Sequence, residues 1–146
     1  MEDIKYVFDV EKDDFVRAGE SSSNIKKILR QLGIDSGVIR KISIATYEAE
    51  MNIVIHSLGG QITLEVTPDF VKVVAQDRGP GIADLELAMQ EGYSTATDRV
   101  REMGFGAGMG LPNMKKCSDR FKVNSTVGKG TEIVIEVDLR AGVLNE

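Results

Sequence analysis

Four short constellations in this 146-residue chain carry residue types that do chemistry. Glu48, Asn52 and His56 fall at i, i+4 and i+8, so on a helix they share one face. Asp77 stands at the end of an apolar run and is followed by Gly79 and Gly81 in "AQDRGPGI". Glycine then occupies alternate positions in "GFGAGMGLPNMKK", at Gly104, Gly106, Gly108 and Gly110. Thr131 follows Gly128 and Gly130 in "GKGTEIVIEVDL".

The glycine run opens a helix-forming segment. Helix starts present unpaired N–H groups and about half a positive charge. Without Cβ atoms, phosphate oxygens can approach those N–H groups closely. The run is not a P-loop, because no Gly-Lys-Ser/Thr follows, and no G-x-G-x-x-G can be read from 104–113. An anion cradle and a slack surface loop both remain open for G-x-G-x-G.

A carboxylate at a strand end, here Asp77, can accept the exocyclic amine of adenine, and nearby glycines let a flat ring pack on backbone. Pro80-Gly81 also suits an ordinary type II turn. Glu48 can take a proton from a hydroxyl or water, or it can be a solvated helix edge. Asn52 can offer an amide oxygen to Mg²⁺. His56 lies near the middle of the apolar stripe at about 100° per residue, which favours a hydrogen-bonded core histidine. The Thr131 hydroxyl can reach an adenine or a bridging water, although threonine is common in strands.

The elements that must position these residues are legible from periodicity. "IKYVFDV" (4–10) reads as a strand, and a helix follows that ends near Gly33. Asp35 or Ser36 caps a longer helix to about His56 or Ser57. Its stripe is Val38, Ile42, Ala45, Ala49 and Ile53. "QITLEVT" and "FVKVVAQ" alternate around a "PD" turn and predict a hairpin. A short helix is expected over 84–92, a loop over 93–107 and a helix from about Met109 to Cys117. Strands near Arg120–Ser125 and Thr131–Asp138, joined by "TVGKG", close the chain. Helices and strands of this kind predict an α/β (α+β) chain, a two-layer sandwich whose mixed sheet is covered on one face by helices. One domain over 1–146 is expected.

Composition sets outer bounds. Apolar residues make up 42% and charged residues 28%, as in soluble globular chains. No apolar run reaches membrane-span length, and the N-terminus lacks a signal pattern. The single cysteine, Cys117, fits a reducing, cytoplasmic compartment. A net charge of −5, with no Trp, counts against nucleic-acid binding.

In this order, E-x-x-x-N, D-x-G-x-G, G-x-G-x-G-L and G-T resemble the ATP-binding domain of sensor histidine kinases, DNA gyrase, heat-shock chaperones and mismatch-repair proteins, the Bergerat or GHKL fold. Within it, "DRGPGIADLELAMQEGYST" and "GAGMGLPNMKK…GKGT" are similar to the small bacterial anti-sigma-factor serine kinases and above all their switch-kinase relatives. The resemblance covers about residues 38–138. It implies Glu48 as general base and Asn52 as the Mg²⁺ ligand. Asp77 would read the adenine amine, with Gly79 and Gly81 shaping the pocket and Thr131 assisting. Gly106, Gly108, Gly110 and the Leu111 backbone would hold the ATP phosphates. Segment 92–107 would be the lid, with Arg99 or Arg101 near the γ-phosphate. "REMGFGAG" departs from the anti-sigma kinases, which often carry a charged residue before a shorter glycine pair; the departure bears on sigma-factor binding rather than on ATP binding.

The resemblance implies a protein-serine kinase that phosphorylates a STAS-domain anti-sigma-antagonist. A sigma factor, a phosphatase and a second copy of the chain are further implied partners. The alternative is a non-catalytic, nucleotide-gated binding module.

Overall fold

The computed structural model describes residues 3–79, 81, 89 and 110–139. The helix expected over 84–92 and the loop over 93–107 therefore lie outside the described residues. In chain order the elements are β1 (Ile4–Val10), α1 (Glu20–Gln31), α2 (Ser36–His56), β2 (Gly60–Val66), β3 (Phe70–Asp77), α3 (Gly110–Lys116), β4 (Arg120–Thr126) and β5 (Gly130–Asp138).

Local chemistry sets the helix ends. The Asp35 carboxylate accepts from the N–H groups of Gly37 at 3.0 Å and Val38 at 3.3 Å, which starts α2. At the end of α1, the Gly33 N–H donates to the Arg30 carbonyl and the Ile34 N–H to the Leu29 carbonyl, both at 3.1 Å. That pattern needs a left-handed residue at its centre, and Gly33 supplies it with φ +73.

The five strands form one sheet in the order β1-β2-β3-β5-β4. Its inner face is apolar at every second residue: Ile62, Leu64 and Val66; Val71, Val73 and Ala75; Ile133, Ile135 and Val137. Ile25 and Leu29 of α1 and Ile42, Ala45, Ala49 and Ile53 of α2 close over that face. Val38, also expected in the stripe, packs at its partly buried margin. The two-layer sandwich is as expected. The mixed sheet is not: all four pairings among the described strands are antiparallel. β3 and β4 do run parallel, as a crossover through α3 requires. β5 folds back between them and is antiparallel to both.

The first turn of α1 has no side-chain cap of its own. Glu50 of α2, only 2% exposed, fills that role from 28 to 31 residues away. Its carboxylate accepts from the backbone N–H groups of Gly19, Ser21 and Ser22 at 3.1–3.2 Å and from the Ser22 hydroxyl at 2.7 Å. A negative group at a helix start is also favoured by the helix dipole. Replacing Glu50 by Ala strands several buried donors. The expected loss of stability is about 3 kcal/mol, read as a lower urea midpoint, with Glu50→Gln falling between the variant and the parent.

Candidate functional site

α2 carries the first group of site residues. Its apolar stripe faces the sheet, which leaves Glu48 and Asn52 half-buried beside it, one turn apart. α3 packs across α2 at this level. Leu111 and Met114 fix it there, the first 5% exposed and the second fully buried. The approach is close at Gly110. A Cβ on that residue would stand 3.3 Å from Asn52 Oδ1 and 3.5 Å from Glu48 Oε2. Glycine thus keeps an amide oxygen and a carboxylate oxygen open at the start of α3.

Burial raises the Glu48 carboxyl above its usual range, opposed by a hydrogen bond from the Asn113 side chain. Asn113 lies in the quoted "GLPNMKK" stretch but was assigned no role there. Its position, one helical turn after Gly110, was the available signal. Cys117 completes this corner. Burial raises its thiol; Lys41 acts to lower it and Glu48 to raise it.

The second group sits where β3 ends beside β5. Asp77 Oδ1 accepts the Thr131 N–H at 3.0 Å. Its Oδ2 takes no hydrogen bond among the described residues. Burial raises the Asp77 carboxyl, and the Thr131 N–H opposes that shift. The Thr131 hydroxyl pairs with Ser125 Oγ at 2.9 Å. Thr131 therefore supports Asp77 through its backbone, while its hydroxyl is held by a neighbour. Ser125 was missed because it is identified only by the hairpin register that sets it opposite Thr131.

Gly79 and Gly81 are accounted for by chain packing. A Cβ at Gly79 would lie 3.1 Å from Ser57 Cα, and one at Gly81 2.6 Å from the Thr126 carbonyl oxygen. Gly81 has φ +75, which suits the third residue of a type II turn.

The loop after α2 joins the two groups. The Leu58 N–H donates to the Arg78 carbonyl at 2.7 Å, and the Arg78 N–H donates to the Gly59 carbonyl at 3.0 Å. His56, at the last turn of α2, is half-buried, and burial lowers its imidazole. Gly106, Gly108, Arg99, Arg101 and the lid segment 92–107 lie outside the described residues. Among the described residues no cluster of three or more His, Cys, Asp or Glu side chains could hold a metal ion. The Asn52 amide oxygen, beside the Glu48 carboxylate, is of the oxygen type that a hard cation takes.

Residues 37–141 match the family of histidine kinase-, DNA gyrase B- and HSP90-like ATPases. The chain is similar to the serine/threonine-protein kinase RsbT of Bacillus subtilis, at 36% identity over 82% of this chain and 85% of that protein. It is similar to the anti-sigma F factor of Clostridium beijerinckii, at 29% identity over 91% of this chain and 90% of that one. The anti-sigma F factor of Caldanaerobacter subterraneus is 30% identical over 90% of this chain and 88% of its own length.

The raised Glu48 carboxyl has a consequence for stability. A folded state that holds its proton more tightly than the unfolded chain is favoured in acid, below the unfolded carboxylate range. That contribution is lost as pH rises through the folded value. At neutral pH the ionised, half-buried Glu48 is therefore a cost, and Glu48→Gln is expected to melt higher than the parent. Solvent screening limits the gain to below about 1 kcal/mol, or about 2–4 °C at this chain length. In scans from pH 7.5 downward, the gap should close as Glu48 takes up its proton.

Proposed function

The chain belongs to the family of histidine kinase-, DNA gyrase B- and HSP90-like ATPases, and from that membership we propose that it is an ATP-dependent serine protein kinase of the partner-switching kind. Its phosphoacceptor is a serine on a STAS-domain anti-sigma-antagonist. A sigma factor or a phosphatase is the partner whose binding that phosphate redirects. The names of the relatives support this reading: one is a serine/threonine-protein kinase and the others are anti-sigma factors.

The single observation that carries it is the corner where Glu48, Asn52 and the bare start of α3 meet. A module that only gripped a nucleotide would have no use for an unpaired, half-buried carboxylate there. With its carboxyl raised by burial, Glu48 is a better proton acceptor than a free carboxylate. It takes the proton of the serine hydroxyl as that oxygen bonds to the γ-phosphorus, and the bond to the β–γ bridging oxygen breaks to leave ADP.

Asp77 recognises the adenine. Thr131 holds one of its oxygens, and the other is free to accept the exocyclic amine. Gly79 and Gly81 border that pocket, and their tight packing fixes its wall. Backbone N–H groups at Gly106, Gly108, Gly110 and Leu111 receive the phosphates. Asn52 is the side chain that would hold Mg²⁺, and the missing Cβ at Gly110 leaves its amide oxygen room to do so. When bound, the ion offsets phosphate charge during transfer. All of 1–146 is assigned to one kinase domain acting in the cytoplasm. No helix among the described residues is long and apolar enough to cross a membrane. The phosphate then acts on the partner, because added negative charge at an interface breaks or redirects it.

Labelled ATP and a STAS-domain protein encoded beside this chain test the proposal. Glu48→Gln is expected to bind ATP normally by calorimetry and to transfer about 10²–10⁴-fold more slowly. Asp77→Asn turns an amide NH₂ towards the adenine amine and should weaken ATP binding about tenfold to a hundredfold. Transfer by Glu48→Gln at the parental rate would remove the base. Tight ATP binding by the parent without any transfer would leave a nucleotide-gated binding module instead.

A further inference from the structure

The inner face of the sheet changes character at its last rung. Ala75, Ile133 and Val123 form an apolar row across β3, β5 and β4. Two residues further along, the same face carries Asp77, Thr131 and Ser125 in a row. Gly60, opposite Asp77 on β2, adds no side chain to it. We propose that Ser125 is a positioning residue that sets base selectivity. Its hydroxyl donates to the Thr131 hydroxyl and so turns the Thr131 hydrogen towards N1 of adenine, beside the amine that Asp77 accepts. The inference rests on the reading of Asp77 as the adenine acceptor and is independent of the phosphotransfer step.

Hydrogen-bond lengths carry the direction. Ser125 Oγ stands 2.9 Å from Thr131 Oγ1 and 3.4 Å from the Gly130 carbonyl oxygen. Hydroxyl bonds to oxygen fall at about 2.5–3.0 Å, so of these two acceptors Thr131 takes the hydrogen. One lone pair of Thr131 Oγ1 is then filled, and its own hydrogen remains for a ligand. Thr131 is only 8% exposed, and its N–H is tied to Asp77 Oδ1 at 3.0 Å. Rotation about the C–O bond is the freedom left to its hydroxyl, and Ser125 sets that rotation. Ser125 is itself confined, because a Cβ at Gly81 would stand 3.1 Å from its Oγ.

The two purines differ in the order of their polar groups. Adenine offers a donor, the exocyclic amine, next to an acceptor, N1. Asp77 and a donating Thr131 match that order, directly or through one water that passes the same polarity on. Guanine reverses it, with a carbonyl oxygen beside an N–H, and meets a carboxylate and a hydrogen. A hydroxyl alone is indifferent, since it can donate or accept. A donor at its back makes it one-sided, and linked hydrogen bonds polarise one another. Sites built this way reject analogues that lack the matching group.

Calorimetry with ADP, GDP and 1-deaza-ADP reads the base alone, since none carries a γ-phosphate to transfer. 1-Deaza-ADP has a C–H in place of N1. The parent is expected to prefer ADP to 1-deaza-ADP about tenfold, the scale of one hydrogen bond. Ser125→Ala and Ser125→Val should lose about that factor for ADP and almost none for 1-deaza-ADP. Their preference for ADP over GDP should fall in step. Ser125→Thr, a near match to valine in shape but with the hydroxyl, should bind ADP like the parent. In a Thr131→Val background, Ser125→Ala should cost nothing further, as for residues that act as one unit.

Equal losses for ADP and 1-deaza-ADP would make Ser125 a support of the hairpin and overturn the proposal. Parental ADP affinity in the Ala and Val variants would overturn it too, as would a full Ser125→Ala loss in the Thr131→Val background. If the parent binds no ADP, the adenine site fails and this inference fails with it. The expected pattern in a chain that labels no STAS serine supports the inference and removes only the kinase reading.

Discussion

The site depends on how closely α3 lies against α2. Residue 110 stands so near that an added methyl would meet the Asn52 amide at 3.3 Å. Closeness of this kind is held by packing, and here the packing comes from Leu111 and Met114 on one helix and the apolar stripe on the other. A core that slipped there would move the polar groups with it. Interiors pack like crystals, so such positions are fixed to fractions of an ångström. The corner at Glu48 and Asn52 therefore draws its precision from the core directly beneath it.

α2 serves two polar tasks on two faces. Glu48 and Glu50 are two residues apart, about 200° around the helix. One therefore points to α3 and the other to the start of α1. Glu50 is saturated with four hydrogen bonds, and its charge has been turned into structure. Glu48, half-buried beside Asn52, has its proton affinity raised by burial. The two carboxylates differ in surroundings: Glu50 is buried among backbone donors of the α1 start, whereas Glu48 is half-buried beside the bare start of α3.

That contrast also explains what the sequence could and could not reveal. Periodicity placed the strands, α2 and its stripe, because burial repeats every two residues on a strand and every three to four on a helix. The motifs placed Glu48, Asn52, Asp77 and Thr131, and the fold gathers them into two groups joined by the loop after α2. Glu50 was invisible, since its donors come from a helix start 28 to 31 residues earlier. Ser125 was invisible for the same reason. Each acts through a partner chosen by tertiary register, and register is not a local property. The expected mixed sheet differs from the one found because β3 and β4 run parallel but are not neighbours, so every pairing among the described strands is antiparallel. Nothing in the spacing announces that β5 will insert between them.

The Asp77 end of the site applies the same rule with backbone in place of side chains. A Cβ at Gly130 would lie 2.1 Å from the Asp77 carbonyl oxygen, and one at Gly60 would lie 2.8 Å from Asp77 Cα. The strands on both sides of Asp77 thus press against it where neither carries a side chain. Asp77 has little freedom to move, and the Thr131 N–H fixes its carboxylate as well. Preorganisation of this sort lowers the ordering cost of binding. The same arrangement has an energetic consequence, because burial raises the proton affinity of the half-buried Asp77 and the Thr131 N–H opposes the shift only in part. At both ends of the site the fold accepts an under-satisfied carboxylate. At Asp77 the Thr131 N–H orients the carboxylate without neutralising it.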